Sequence, residues 1–464
     1  MTNIYGILNT GRTALFAQRK AVDVTGHNIS NVNTPGFSRQ RVNLETNTPM
    51  SSSPPGQLGT GVRAAEIQRI YDRFLGDQIN RETSDMERWD SQKSALERVE
   101  MILNESSEYG LSSAMSEFWN SWHDLANNPE DQPQRTVVVE KAKSLANRFQ
   151  KIYRDLMQVQ EGLDRNLDAN VQDINLMSEQ IAHLNMKIFS IENSGDNAND
   201  YRDQRDLIIE KMSSIIDITS FEDPDGKVTV LVGNGRPLVE NVYSWDLATR
   251  INPSTGFKDI LWANGDGDYV DITNNITGGE IKGSLEVRDV KIPEYFNGLD
   301  SLAGDIITEL NSLHANGFGL DGSSANDFFN GTTAYDIRVN PTITADLNRI
   351  AVASVLTGIP GDNTNAIAIL NLQHGLIMSG GTSTFDDYYN SLVSNIGSDV
   401  QEAERNSDHQ NEIVTHLVNT RETISGVSLD EEMVNLIKFQ NAYDSAAKLI
   451  SVVDELLTTV LNMV

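Results

Sequence analysis

With 464 residues, 36 Lys and Arg against 66 Asp and Glu, and a net charge of −30, the chain is poorly suited to bind nucleic acid or an anionic membrane. It contains no cysteine, which excludes disulfides, thiolate metal sites and a cysteine nucleophile, so the fold must hold by packing alone. A chain of this length carries an expectation of about three domains.

Leu8, Leu15, Val22 and Ile29 recur every seven residues, with Ile4, Ala14 and Ala21 beside them, which predicts a heptad-bearing first helix. The segment lacks the basic start, apolar run and small-residue cleavage site of a secretory leader, and no apolar run is long enough to span a membrane. Neither a cleaved leader nor membrane insertion is therefore expected. The helix should give way along Asn28-Ile29-Ser30-Asn31-Val32-Asn33-Thr34-Pro35-Gly36-Phe37, where asparagines compete for the backbone and Pro35-Gly36 suits the centre of a type II turn. Residues 47–61, rich in Ser, Pro and Gly, read as an exposed loop or linker.

Residues 70–104 carry a helical pattern, and residues 111–127 form a shorter helix with Phe118, Trp119 and Trp122, stopped by Asn127-Asn128-Pro129. After Pro133 a helical stripe runs through Leu145, Phe149, Ile152, Leu156, Leu163, Leu167, Val171, Ile174, Ile181, Leu184, Ile188 and Ile191. At about 1.5 Å per residue it spans about 70 Å, the dimension of a rod rather than of a catalytic core. A further helix over 200–216 contains Asp203-Gln204-Arg205-Asp206. Its carboxylates invite an acid–base role, but alternating Asp and Arg at a helix start better fit a salt-bridged face or a loop anchor.

Between 217 and 284 the period changes to alternation, with strands expected at 227–232, 269–272 and 281–285, and with hairpin signals at Asp225-Gly226, Asn234-Gly235 and Asn264-Gly265. The run Asn264-Gly265-Asp266-Gly267-Asp268 suggests a calcium loop but lacks the bidentate Glu such a loop needs. Helical pattern resumes from 285 to 314. The glycine-rich loop at 316–322 has no lysine for a phosphate cradle. A second long helix over 385–424 offers Leu392, Ile396, Val400, Ala403, Val414 and Leu417 for antiparallel packing on the long helix before residue 193. The seven histidines form no cluster, since His409 and His416 are two turns apart, and they are expected at the surface.

The C-terminal helix has a capping-box pair, Ser428 and Glu431, with Asp430, Glu431 and Glu432 in its first turn. Phe439, Ala442, Ala446, Leu449, Val453, Leu456, Val460 and Met463 then form a heptad seam. Tyr443, Ala447, Ile450, Leu457, Leu461 and Val464 widen the apolar face beyond what one partner helix covers. The other terminus is the natural first partner, and further helices should follow.

The string from Leu15 through Ala21 to Asn28-Ile29-Ser30-Asn31-Val32-Asn33-Thr34-Pro35-Gly36-Phe37 resembles the N-terminal signature of the bacterial flagellar axial proteins of rod, hook and hook-associated type. Ser425-Gly426-Val427-Ser428-Leu429-Asp430-Glu431-Glu432 with Gln440-Asn441-Ala442-Tyr443 resembles their C-terminal signature. Asn199-Asp200-Tyr201-Arg202-Asp203-Gln204-Arg205-Asp206, Asp327-Phe328-Phe329, Ile350-Ala351-Val352-Ala353-Ser354 and Gly361-Asp362-Asn363-Thr364-Asn365-Ala366 narrow the resemblance to the hook-associated protein 1 family.

The resemblance implies a structural adaptor that joins hook to filament outside the cell. It implies a homo-oligomeric ring in the flagellar axis, with hook protein, hook-associated protein 3 and a cytoplasmic export chaperone as partners, and exit through the flagellar type III channel. With no Gly-x-Ser-x-Gly, P-loop or metal-protease motif, scattered histidines and a strongly negative charge, the residues themselves lead to an expectation of no enzyme activity, cofactor, metal, nucleic acid or membrane insertion. Another axial subunit, hook-associated protein 3 or a hook protein, or less favourably a secreted adhesin or calcium-binding protein, is the alternative. The expected fold is mainly α with a β-rich insertion (α+β). Residues 1–60 and 427–464 would form a terminal coiled coil, 61–216 and 285–426 a long-helix shaft, and 217–284 an outer β-rich insertion. The expected subunit-interface residues are Leu8, Leu15, Val22, Ile29, Asn31, Pro35, Gly36, Phe439, Ala442, Ala446, Leu449, Val453, Leu456, Val460 and Met463. The terminal helices are expected to lack order in a free monomer, with a proteolytic core starting near Gly61 and ending near Gly426.

Overall fold

Where the sequence carries a sustained 3.6-residue period, the chain is helical. The computed structural model describes residues 2–51, 56–103, 110–265 and 267–462. Asn104, Asp266, Met463, Val464 and the Ser-Pro run at 52–55 lie outside the described residues.

Helix α1 (Thr2–Ser30) leads into a hairpin arm. The arm consists of β1 (Gln40–Thr46), the short strands β2 (Met50–Ser51) and β3 (Gln57–Leu58), and β4 (Val62–Arg69). Strands β1 and β4 pair antiparallel from Gln40 opposite Arg69 to Thr46 opposite Val62, with a bulge between Asn43 and Leu44. The described residues of that stretch, 47–51 and 56–61, thus belong to a β-ribbon and not to a linker. A Cβ on Gly61 would run into Thr13 of α1, so the arm lies flat on that helix.

Four helices follow: α2 (Arg73–Leu103), α3 (Leu111–Asn127), α4 (Gln132–Glu192) and α5 (Asn199–Ile215). Helix α4 has 61 residues, about 90 Å, with proline in its first turn where a missing N–H costs nothing. A β-rich region comes next. Strands β5 (Ile218–Glu222), β6 (Val228–Val232), β7 (Arg236–Glu240) and β8 (Tyr243–Ser244) form one antiparallel sheet in sequential order. Strands β9 (Leu247–Ile251), β10 (Lys258–Ala263) and β11 (Tyr269–Asp271) form a second, with β10 central.

The expected strand at 281–285 is instead helix α6 (Gly279–Glu286). A Cβ on Gly283 would collide with the Arg88 carbonyl, so this glycine lets α6 lie directly against α2. A π-helical turn, Val287–Lys291, joins it to α7 (Ile292–Asn316). The loop after α7 is tied by a bridge between Phe318 and Ala353, followed by β12 (Phe329–Asn330), β13 (Arg338–Val339), α8 (Pro341–Ala345), α9 (Thr364–Asn371) and α10 (Met378–Gly381). Helix α11 (Phe385–Ser425) starts with a full Thr384–Asp387 capping box, and α12 (Leu429–Asn462) follows after a three-residue break.

Helix α11 does not run along α4. It lies antiparallel on α2, with the Tyr389 hydroxyl donating to the Leu103 carbonyl and Ser407 to Asp90. Periodicity marked which residues of α11 are buried; the partner depends on tertiary arrangement. One core gathers Phe118, Trp119 and Trp122 of α3 with the first half of α4, α7, Phe328, Phe329 and Phe385. Trp119 stacks on Phe385 with centroids 6.1 Å apart. Each such buried ring contributes roughly 2–3 kcal/mol. A second core fills the space between the later half of α4, α5, α6 and the inner faces of both sheets. The β-rich region is therefore packed onto the shaft rather than hung from it.

His314 departs from the surface location expected of the histidines: it is wholly buried. Its Nε2 accepts from the Ala351 N–H at 2.9 Å, so its Nδ1–H donates to the Asn326 carbonyl at 2.6 Å, which defines a neutral tautomer. Burial beside Phe328 and Trp122 draws its pKa down to about 4. The unfolded chain takes up this proton near the ordinary value of 6.5 and the fold does so only near 4. Stability from this group is therefore complete above pH 6.5 and falls by roughly 3 kcal/mol as the pH drops to 4. Urea unfolding of the native chain and of His314→Gln at pH 7 and pH 4.5 should show the smaller pH slope in the variant.

Candidate functional site: the terminal helix pair and its elbow

Helices α1 and α12 are formed and pack on each other within the single chain, which differs from the expectation that they lack order before assembly, and small side chains set the contact. On α1 the buried row is Gly11, Ala17, Ala21, Val24, Thr25 and Asn28; on α12 it is Glu432, Ala446 and Val453. A Cβ on Gly11 would lie 2.9 Å from Cγ1 of Ile450, so glycine lets the helices come this close and a larger residue there needs the Ile450 side chain to give way. The heptad residues Leu8, Leu15, Val22 and Ile29 are half-buried and flank that row. Ala21, Ala446 and Val453 of this row are legible in the sequence, whereas Gly11 and Ala17 carry too little hydrophobic signal to stand out beside their larger neighbours.

On α12, Phe439 and Ala442 are half-buried, whereas Leu449, Leu456 and Val460 are 39, 49 and 46% exposed. Met433, Val434, Ile437, Val452 and Leu461 are exposed too, as are Tyr5, Ile7 and Phe16 of α1. One strip of the broad apolar face is covered by the other terminus, and the rest of it is open. Asn31 is half-buried, and Pro35 and Gly36 are exposed.

The two signatures meet at the elbow between α11 and α12. Residues 34–37 form the expected turn: the Phe37 N–H donates to the Thr34 carbonyl at 3.2 Å, and Gly36 has φ +77°, as the third position of a type II turn requires. Asn31 accepts from Thr34 Oγ1 and donates to the His27 carbonyl, closing the end of α1. Asn28 exchanges both amide groups with the Gln40 backbone, at 2.8 and 2.9 Å, and also donates to Glu432 at 3.1 Å. Arg39 pairs with Glu431 at 2.7 Å and Glu432 at 2.8 Å, while its backbone N–H donates to the Ser425 carbonyl.

The Asp203-Gln204-Arg205-Asp206 segment at the start of α5 anchors the arm and the β-rich region to the shaft. Asp203 accepts the Ser38 N–H at 2.8 Å, and Arg69 reaches Asp203 at 2.9 Å and Asp206 at 2.7 Å. Burial disfavours the Arg69 charge, but the two carboxylates outweigh it and hold the pKa above the usual arginine value. Arg205 is 1% exposed and donates to Asn185, to the Gly226 carbonyl and to Glu222. Arg202 joins Glu192 to the same Glu222. Both aspartates thus hold Arg69 and line a cleft of about 70 Å³, beside a more open one of about 440 Å³ bounded by Arg69, Glu192, Arg202 and Glu222. Among the described residues no group of three or more His, Asp or Glu is disposed to hold a metal ion, and no helix is long and apolar enough to cross a membrane.

This arrangement, two terminal helices on a helical shaft with matching signatures at their junction, is that of a flagellar axial protein. Residues 8–37 match the family model described as flagella basal body rod protein, and residues 421–463 the one described as flagellar basal body rod FlgEFG protein C-terminal. Residues 96–329, half of the chain, match the flagellar hook-associated protein FlgK helical domain. Flagellar hook-associated protein 1 of Bacillus subtilis is 33% identical over 503 aligned residues, covering 100% of this chain and 99% of the relative. Its namesake in Escherichia coli is 24% identical over 98% of this chain and 99% of the relative. The flagellar hook junction protein FlgK from Burkholderia pseudomallei superposes with a TM-score of 0.66 at 16% identity, over 75% of this chain and all of that one, a likeness of fold. The chain belongs to the flagellar hook-associated protein 1 family, mainly α with a β-rich region, and is a structural component of the bacterial flagellum.

Proposed function

We propose that this chain is the structural adaptor at the hook–filament junction, joining hook to filament by stacking of its paired terminal helices. The observation that carries it is the apolar surface left open after α1 and α12 have paired, on a chain whose family is that of hook-associated protein 1. An apolar stripe of this extent on both helices calls for neighbouring helices. In a ring of copies Leu449, Leu456 and Val460 would meet the next subunit together with Leu8, Leu15, Val22 and Ile29. Phe439, Ala442, Ala446 and Val453 would keep the pair closed, and Asn31, Pro35 and Gly36 would shape the turn beside it. Met463, outside the described residues, continues the same heptad in the sequence.

Residues 1–60 and 427–464 act as the axial assembly domain, 61–216 and 285–426 as the shaft, and 217–284 as the outward face apart from its last residues, which enter helix α6 against the shaft. Hook protein lies on one side and hook-associated protein 3 on the other. A cytoplasmic chaperone and the flagellar type III channel bring the chain to its place. No catalytic step is assigned, since the acidic cluster at α5 is engaged in anchoring. Electron microscopy of a strain lacking the protein tests the proposal. Hooks without filaments, with filament protein lost to the medium, are expected; filaments of normal length would overturn it.

A further inference from the structure

We infer that Asn28, Arg39 and Glu432 form a polar pin that fixes the axial register of the two terminal helices; its significance for assembly rests on the function proposed above. The seam it closes is lined by Gly11, Ala17, Ala21 and Val24 on one side and by Ala446 and Val453 on the other. Small side chains interlock weakly, so a slide of one heptad would keep most apolar contacts. A single buried polar group in such a seam specifies register, because displacement leaves it unpaired.

Glu432 is that group: it is 2% exposed, in the first turn of α12, where the helix dipole favours its charge. One carboxylate oxygen accepts from Arg39 Nε at 2.8 Å and the other from Asn28 Nδ2 at 3.1 Å. Both donors are fixed in turn. Asn28 is held by the Gln40 backbone, and the Arg39 backbone bonds to Ser425 at the end of α11 and to Ile70 at the entry to the shaft. A slide takes Glu432 away from both donors and strands a buried carboxylate. The pin therefore ties the offset of the α1 and α12 surfaces to the shaft, so that each copy presents the same composite surface to its neighbours.

The absence of cysteine permits a direct test on the purified full-length chain. Gly11→Cys with Ile450→Cys reports the native register, since those positions face each other. Gly11→Cys with Leu457→Cys or with Tyr443→Cys, each carrying Ile450→Ala to make room for the new Cβ, reports a slide of one heptad in either direction. In the native background the first pair should form its disulfide under mild oxidation and the others should not. Glu432→Gln and Asn28→Ala should each lower the native-register yield about tenfold or more, the change expected when charge-assisted hydrogen bonds to a buried carboxylate are lost, and raise a shifted pair. Glu431→Gln, with its side chain 62% exposed, should change neither.

An unaltered native-register yield in both Glu432→Gln and Asn28→Ala would overturn the inference, as would failure of the first pair to form in the native background. The proposed function is scored separately, by filament attachment in cells. If Glu432→Gln shifts the crosslinks while filaments remain attached, the pin stands and the assembly role of the coil fails.

Discussion

Leu456→Asp should abolish filament attachment and motility while leaving urea unfolding of the purified chain within about 0.5 kcal/mol of native. Leu456 is 49% exposed on α12, at the edge of the contact with α1, so the isolated molecule can solvate an aspartate there. In the proposed ring the same position lies between helices of neighbouring copies, where an unpaired buried charge costs several kcal/mol at every subunit. Leu449→Asp, at 39% exposure, should behave alike. Val453→Asp is the contrasting substitution. That residue is 2% exposed against α1, so the charge should open the helix pair within one chain, visible as lost helical circular dichroism. If Leu456→Asp destabilises the purified chain and still supports filaments, the exposed stripe is part of an intramolecular core.

Arg205→Met should lower stability by about 3–5 kcal/mol, more than any substitution on the surface of the same helix. The guanidinium donates to Asn185 of α4, to the Gly226 carbonyl in the β5–β6 turn and to Glu222 of β5, so one side chain joins shaft to sheet. Burial draws its pKa below the ordinary arginine value while Asp206 and Glu222 oppose that pull. Methionine fills part of the space but leaves those acceptors without their donor. Hydrogen exchange of the β5 and β6 amides should quicken accordingly, while amides of α3 remain protected. A loss below 1 kcal/mol would mean that Arg202, which also reaches Glu222, carries the joint.

The helices were legible because long periodic stripes leave little choice: residues 111–127 were bounded as they stand, and the stripe from Leu145 to Ile191 is α4. Five residues at 281–285 cannot distinguish a period of two from one of 3.6, and the close approach of Gly283 to α2 decides for helix. The arm escaped notice because the composition of residues 47–61 masked the alternation in β1 and β4 on either side.

At the site, the turn at Pro35-Gly36 and the anchoring use of Asp203 and Asp206 followed from local chemistry. The meeting of Asn28 with Glu432 did not, since 404 residues separate them and neither is unusual in its own helix. His314 was likewise invisible: its burial is set by Phe328 in the loop that follows its helix and by Trp122 from a distant helix.

The most direct measurement is a cryo-electron-microscopy reconstruction of the hook–filament junction at a resolution that shows side chains. The account predicts α1 and α12 of each copy side by side in the innermost layer, with Leu449, Leu456 and Val460 against helices of adjacent copies and the β-rich region facing outward. Terminal helices at the outer surface, or that stripe facing open solvent, would contradict it.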